Sequence, residues 1–219
     1  MDRGLEFLLL DLTHICNLNC DFCGKLVWDS DYEMTMEQVD KFCYYCANVP
    51  AKNVRITGGE ALTHPHIDAI IDMVYAMGRP IELATNGILL HRHESIIPKC
   101  WKIHITPYPG VNDEAVAKYG QLPNMNLISI NVWFDPFLDP NYTDEEARLV
   151  YDNCCHVQVN VHGDVVYPCC QAETFERVLG IDPVHVELKE GWMEEYGKLD
   201  VLPACKHCFL AATEENKWR

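Results

Sequence analysis

A chain of 219 residues, 48% apolar and 23% charged, is long enough to bury a sizeable core and too mixed in composition for disorder. Its formal charge of -16, from 17 Lys and Arg against 33 Asp and Glu, argues against nucleic acid as a partner and serves solubility first. No apolar run reaches the roughly eighteen residues of a membrane helix, and the acidic N-terminus is no signal peptide, so no membrane association and a cytoplasmic location are expected.

In chain order, the apolar run from Leu5 to Leu12 reads as a buried strand that leads into a cysteine-rich loop, Cys16-Asn17-Leu18-Asn19-Cys20-Asp21-Phe22-Cys23. Thr35 and Gln38 form a capping box for a helix running to about Asn48, before Pro50. A strand over Asn53 to Thr57 ends in Gly58-Gly59-Glu60. A helix from Ile67 to Val74, closed by Gly78, leads to a strand over Ile81 to Ala84 that ends in Thr85-Asn86-Gly87. A helix over Glu94 to Lys99, a strand over Lys102 to Thr106, a helix over Asn112 to Tyr119 and a strand over Leu127 to Phe134 follow. Asp135-Pro136 breaks the last strand, and Thr143 caps a helix to about Tyr151.

Strands alternating with helices imply a parallel sheet with right-handed crossovers. Five units are too few for a closed eight-fold barrel. The expected fold is α/β, an open, partial parallel β/α barrel over residues 1–151, with chemistry at the carboxyl ends of its strands. Beyond residue 152 the pattern changes. Val157, Val159 and Val161 alternate with polar residues, Gly163-Asp164 is a turn, and Val165 to Tyr167 returns as the second arm of a hairpin. A helical stretch over Trp192 to Tyr196 precedes Cys205-Lys206-His207-Cys208, so residues 152–219 read as a small β-hairpin and helix domain around its own metal.

Twelve cysteines without a signal peptide point to metal rather than disulfides. They group as 16/20/23, 43/46, 154/155, 169/170 and 205/208, with Cys100 alone. Cys43 and Cys46 share a face of an amphipathic helix and read as core, as does Cys100. The first group, C-x3-C-x2-C, suits one short loop folded around a single inorganic centre of iron–sulfur, zinc or Cu(I) type. Three thiolates on a four-iron cube leave one iron without a protein ligand, where a small molecule can bind. Zinc sites more usually show paired Cys-x2-Cys knuckles.

On this loop, with Gly58-Gly59-Glu60 and Thr85-Asn86-Gly87 closing successive strands, the chain resembles the radical S-adenosylmethionine (radical SAM) superfamily over residues 7 to 134. The resemblance implies a [4Fe-4S] cluster on Cys16, Cys20 and Cys23 that binds and reductively cleaves SAM to a 5′-deoxyadenosyl radical, which abstracts hydrogen from substrate. It sets Phe22 beside the adenine, Gly58 and Gly59 against the methionine moiety, Glu60 on its ammonium, and Thr85 and Asn86 within reach of cofactor or substrate. The family's usual proline after the glutamate is Ala61 here.

The C-terminal region resembles the Twitch/SPASM extensions of some radical SAM enzymes. That likeness implies a second, auxiliary [4Fe-4S] cluster on Cys154 or Cys155, Cys169 in preference to Cys170, Cys205 and Cys208, in the shorter one-cluster form. A zinc ribbon is the alternative for these four thiolates. Substrate contacts by position are Tyr108, Trp133, Asp135 and Arg148. The expected reaction is dehydrogenation of a small molecule, fed by an electron donor such as flavodoxin or ferredoxin. A peptide maturase is the runner-up, disfavoured by the short segment ahead of Cys16, and a non-catalytic zinc or iron–sulfur binding module is the reading from another class.

Overall fold

The computed structural model describes residues 5–21, 23–25, 30–128, 139–154 and 158–208. Its first five strands are β1 (Phe7–Asp11), β2 (Asn53–Thr57), β3 (Ile81–Thr85), β4 (Lys102–Ile105) and β5 (Met125–Leu127). Between them lie α1 (Met36–Cys46), α2 (Ile67–Ala76) and α3 (Asp113–Tyr119), and α4 (Asp144–Asn153) follows. The later elements are β6 (Gln158–His162), β7 (Val165–Tyr167), α5 (Ala172–Thr174), β8 (Val186–Glu187), α6 (Trp192–Tyr196) and α7 (Leu202–Cys205).

Among the described residues the strands make one open eight-stranded sheet in the order β5-β4-β3-β2-β1-β6-β7-β8. Strands β1 to β6 pair in parallel, and β7 and β8 are added antiparallel. This is the partial β/α barrel that the strand–helix alternation predicts.

Alternation along β1 divides its side chains between two faces. Leu8, Leu10 and Leu12 are fully buried and pack with Val39 and Phe42 of α1 and Ile70 of α2 in the main core. The capping box that starts α1 is present, with Gln38 N–H donating to Thr35 Oγ1 and Thr35 N–H to Gln38 Oε1. Such a cap stabilises by about 1 kcal/mol.

The opposite face of the sheet is polar. Parallel register sets Leu9 beside both Arg55 and Asn160, and Arg55 beside Glu82. Arg55 donates to Glu82 Oε2 from Nη2 at 2.6 Å, and His104 Nε2 meets the same oxygen at 3.0 Å. Arg55 also lies 4.0 Å above the Phe7 ring, so its charge is held from two sides.

The hairpin of β6 and β7 continues the barrel's own sheet. Val159, Val161 and Val166 join the main core, and so does Trp192 of α6, whose Nε1–H donates to Tyr45 O at 3.3 Å. Asp164 in the turn accepts from Gln38 Nε2 at 2.8 Å and Lys41 Nζ at 2.9 Å, both on α1. A smaller cluster of Tyr167, Ala172, Phe175, Val184 and Ala204 underlies the cysteines that follow.

Two local departures from expectation have clear causes. The segment Glu94–Lys99 forms as a 3₁₀ helix, because Pro98 lacks the N–H an α-helix would need. Strand β5 begins at Met125 rather than Leu127, since Asn124 O already accepts from Ile103 N–H at 2.8 Å. The rest of that expected strand, from residue 129, lies outside the described residues.

Candidate functional site

The cysteine loop leaves the carboxyl end of β1, and β2 and β3 hold it there. Gly59 N–H donates to Thr13 O at 2.6 Å and Glu60 N–H to Ile15 O at 2.9 Å. A Cβ on Gly58 would stand 2.5 Å from Thr13 O, and one on Gly59 2.7 Å from both His14 O and Ile15 O. The close approach that the two glycines permit is therefore to the chain's own backbone ahead of Cys16.

Glu60 is 1% exposed. Its Oε1 accepts from Thr85 Oγ1 at 2.7 Å and Leu62 N–H at 3.1 Å, and its Oε2 from Asn86 N–H at 2.7 Å. Burial raises its pKa above the usual carboxylate value, opposed by these donors. An ionised carboxylate has about four acceptor sites, so among the described residues one on Oε2 is left. Asn86 also ties this corner to the loop, its Nδ2 donating to Asn17 Oδ1 at 2.7 Å.

Cys16, Cys20 and Cys23 are half-buried and close together. Burial raises the Cys16 thiol, and Glu60, Cys23 and Cys20 add to the shift. Cys16 Sγ accepts from Leu18 N–H at 3.4 Å. Tyr108 stands by the same centre, close enough for Cys20, Cys23 and Cys16 all to act on its hydroxyl. Burial and the neighbouring sulfurs raise the Tyr108 pKa, which keeps that hydroxyl a donor. Asn112 positions it, with Oδ1 accepting from Tyr108 N–H at 2.7 Å and Nδ2 donating to Asn86 O at 2.6 Å.

A second group of thiols gathers elsewhere. Burial lifts Cys205 to about 12, helped by Cys208 and Cys154. Cys169 is raised by burial and then by Cys170, Cys208 and Cys205. Cys170 also acts on Lys25, which follows the first cysteine loop. Arg148 is exposed and its charge bears on Cys205, so it stands by this second group and not by Cys16. His207, between Cys205 and Cys208, is half-buried and meets Asp139 Oδ1 at 2.8 Å. Cys46 and Cys100 are buried and Cys43 half-buried, with burial lifting Cys46 and Cys100 to about 12 and Cys43 to about 11. Phe22, Trp133, Asp135 and Cys155 lie outside the described residues.

The family model described as the radical SAM superfamily matches residues 10–132, more than half of the chain. The chain belongs to the radical SAM superfamily. Among curated relatives, a probable GTP 3′,8-cyclase of Methanothermobacter marburgensis is 33% identical over 90 residues, 40% of this chain and 30% of that protein. A GTP 3′,8-cyclase of Clostridium perfringens is 33% identical over 97 residues, 40% of this chain and 29% of that one. The match thus spans less than a third of the relatives' length.

Of solved structures, BtrN in complex with AdoMet and 2-DOIA superposes with a TM-score of 0.69 at 18% identity, over 94% of this chain and 87% of that chain. Native anSMEcpe with bound AdoMet and Kp18Cys peptide gives 0.51 at 14% identity, over 93% of this chain and 82% of that chain. At these identities the likeness is one of fold.

Membership implies a [4Fe-4S] cluster and SAM. The donor set fits such a cluster, with three interacting thiols on one loop, a backbone N–H directed at sulfur and a phenol beside them. The vacant acceptor site on Glu60 fits an ammonium group. Sequence reasoning passed over Asp11, His14, Lys25, Tyr32, His162 and Glu173, which cluster at the ends of β1 and β6. The signal was present: Asp11 interrupts an apolar run, and strand alternation puts it on the face opposite Leu10 and Leu12.

Proposed function

We propose that the protein is a two-cluster radical SAM enzyme that removes hydrogen from a small molecule in a net two-electron oxidation. A cluster on Cys16, Cys20 and Cys23 supplies the reductive cleavage of SAM to a 5′-deoxyadenosyl radical. Glu60 receives the methionine ammonium, while Thr85 and Asn86 fix the carboxylate that does so. Cys154 or Cys155, Cys169, Cys205 and Cys208, in a Twitch-like region over residues 152–219, would hold an auxiliary cluster that could accept an electron from substrate. An external one-electron donor completes the cycle.

The observation that carries this reading is the second group of thiols, drawn from three separate segments. A barrel acting through SAM alone has no use for it. The names of the relatives suggest a nucleoside triphosphate as the other substrate class. A formal charge of -16 weighs against so anionic a ligand. Anaerobically reconstituted protein should hold about eight irons and eight sulfides. Replacing Cys16, Cys20 and Cys23 together by Ala should remove about half. Stoichiometric zinc without sulfide would replace this reading by a structural metal module.

A further inference from the structure

The polar face of the sheet carries groups that neither cluster nor SAM uses. Register pairs Leu9 with Asn160, so Asp11 and His162, two residues further along, are neighbours at the carboxyl ends of β1 and β6. His14 folds over them, its ring centroid 4.9 Å from that of His162. One ligand atom from each of Asp11, His14 and His162 lies within 4.8 Å of the other two. Asp11 is 0% exposed and His14 2%.

Among the described residues, Asp11 Oδ1, His14 Nε2 and His162 Nδ1 have no hydrogen-bond partner, and neither side-chain polar atom of the adjoining Asn160 has one. His162 Nδ1 is 3.9 Å from Asp11 Oδ2, beyond hydrogen-bond reach. Leaving such groups buried and unmatched costs about 1–3 kcal/mol each, so a partner is called for. Their surroundings hold them rigidly. Lys25 Nζ sits 2.5 Å from Asp11 Oδ2, Ser30 Oγ 2.7 Å from His14 Nδ1, and the Tyr32 ring stacks on His162 at 3.7 Å.

The inventory of donors and acceptors defines the missing group. A carboxylate oxygen only accepts, whereas each imidazole nitrogen donates or accepts according to its tautomer, so the missing group must donate to Asp11 Oδ1 and is free to accept from a ring N–H, as a hydroxyl does. The charges are already balanced: Lys25 answers Asp11, and Arg177, at 2.7 Å, answers Glu173. A divalent ion would add two uncompensated positive charges in a buried place, whereas a neutral O–H donor adds none. Of the three residues, His14 lines a cavity of about 370 Å³ together with Cys16 and Ser30, a size suited to a small molecule, and Asp11 and His162 adjoin His14 outside that lining.

We propose that Asp11, His14 and His162 form the seat for a substrate hydroxyl, and that the substrate is a hydroxyl-bearing small molecule held beside the Cys16 centre. This rests on the reading of the chain as a radical SAM enzyme acting on a small molecule.

The test uses the reconstituted, SAM-loaded protein and D-glucose as probe, with fully O-methylated glucose as a comparator that keeps the ring and donates nothing. Saturation-transfer NMR should detect D-glucose on the parent protein and not the methylated form. Asp11→Asn and His162→Phe should each weaken binding by about tenfold or more, the loss of one good hydrogen bond. His162→Phe keeps a ring to stack on Tyr32, and unchanged iron content certifies that each variant is folded.

The seat is overturned if the parent does not bind D-glucose, if both variants bind it as the parent does, or if the methylated form binds equally. It is also overturned if zinc or manganese survives chelation stoichiometrically and leaves with His162→Phe. Dithionite-driven release of 5′-deoxyadenosine tests the enzyme reading separately and needs no sugar. Its failure with glucose binding intact would sink that reading and leave the seat standing.

Discussion

A methyl group added at Gly59 would stand 2.7 Å from the carbonyl oxygens of His14 and Ile15, and backbone cannot yield as a side chain can. Gly59→Ala should therefore push the cysteine loop off β2, lowering bound iron and destabilising the protein by more than about 2 kcal/mol. Gly78→Ala is the contrast. Its φ of +72° is unfavourable for alanine but nothing lies within 4 Å, so about 1 kcal/mol and full iron content are expected. Iron analysis beside thermal unfolding separates the two. Glu60→Gln probes the neighbouring carboxylate. Both of its oxygens accept from donors, and an amide must turn its NH2 toward one of them. A stability loss of about 1–3 kcal/mol and SAM affinity about tenfold lower or worse should result, with iron retained. Unchanged SAM affinity would detach Glu60 from the cofactor. The cysteine loop and the Gly-Gly-Glu step were legible because their chemistry depends on spacing along the chain. Asp11, His14 and His162 were not, because their meaning arises only when β6 docks beside β1, about 150 residues away.

Elements were legible wherever local chemistry and tertiary packing agree. Strand β2 spans Asn53–Thr57 as expected, because a β-branched run there meets a core on one side and a polar barrel on the other. Strand β6 shows what alternation leaves open. Val159 and Val161 enter the main core, yet Gln158 and Asn160, the polar half of the pattern, are 5% and 0% exposed because they face the barrel interior. The turn after β6 carries its own test. Asp164 has its pKa lowered, first by the Gln38 amide and then by Lys41. A carboxyl whose folded pKa lies below its unfolded value stabilises fully above the unfolded value and loses that contribution as pH falls through the folded one. The unfolding free energies of the parent and Asp164→Asn should thus differ near neutrality and converge as pH drops below about 4. A gap persisting into acid would mean that the turn is held by something other than this charge.

At the scale of the whole molecule, the question is how far the second thiol group depends on the first. Replacing Cys205 and Cys208 by Ala removes two proposed ligands from one centre and none from the other. SAM cleavage without substrate should survive, since Cys16, Cys20, Cys23 and Glu60 are untouched. Substrate oxidation should fall to background for want of an electron acceptor. The fold adds a structural expectation that the sequence could not supply. Metal binding in a small region is partly folding energy, so its loss should loosen what the metal holds. Yet β6 lies between β1 and β7 within the barrel's own sheet, and Trp192 is anchored on α1. Hydrogen exchange should accordingly rise over residues 169–179 and 202–208, whose apolar contacts form the smaller cluster, while β6 keeps the protection of the barrel strands. If β6 and β1 lose protection together, the auxiliary centre holds up the barrel itself. If the double variant oxidises substrate at the parent rate, the second metal is structural and the two-cluster mechanism fails.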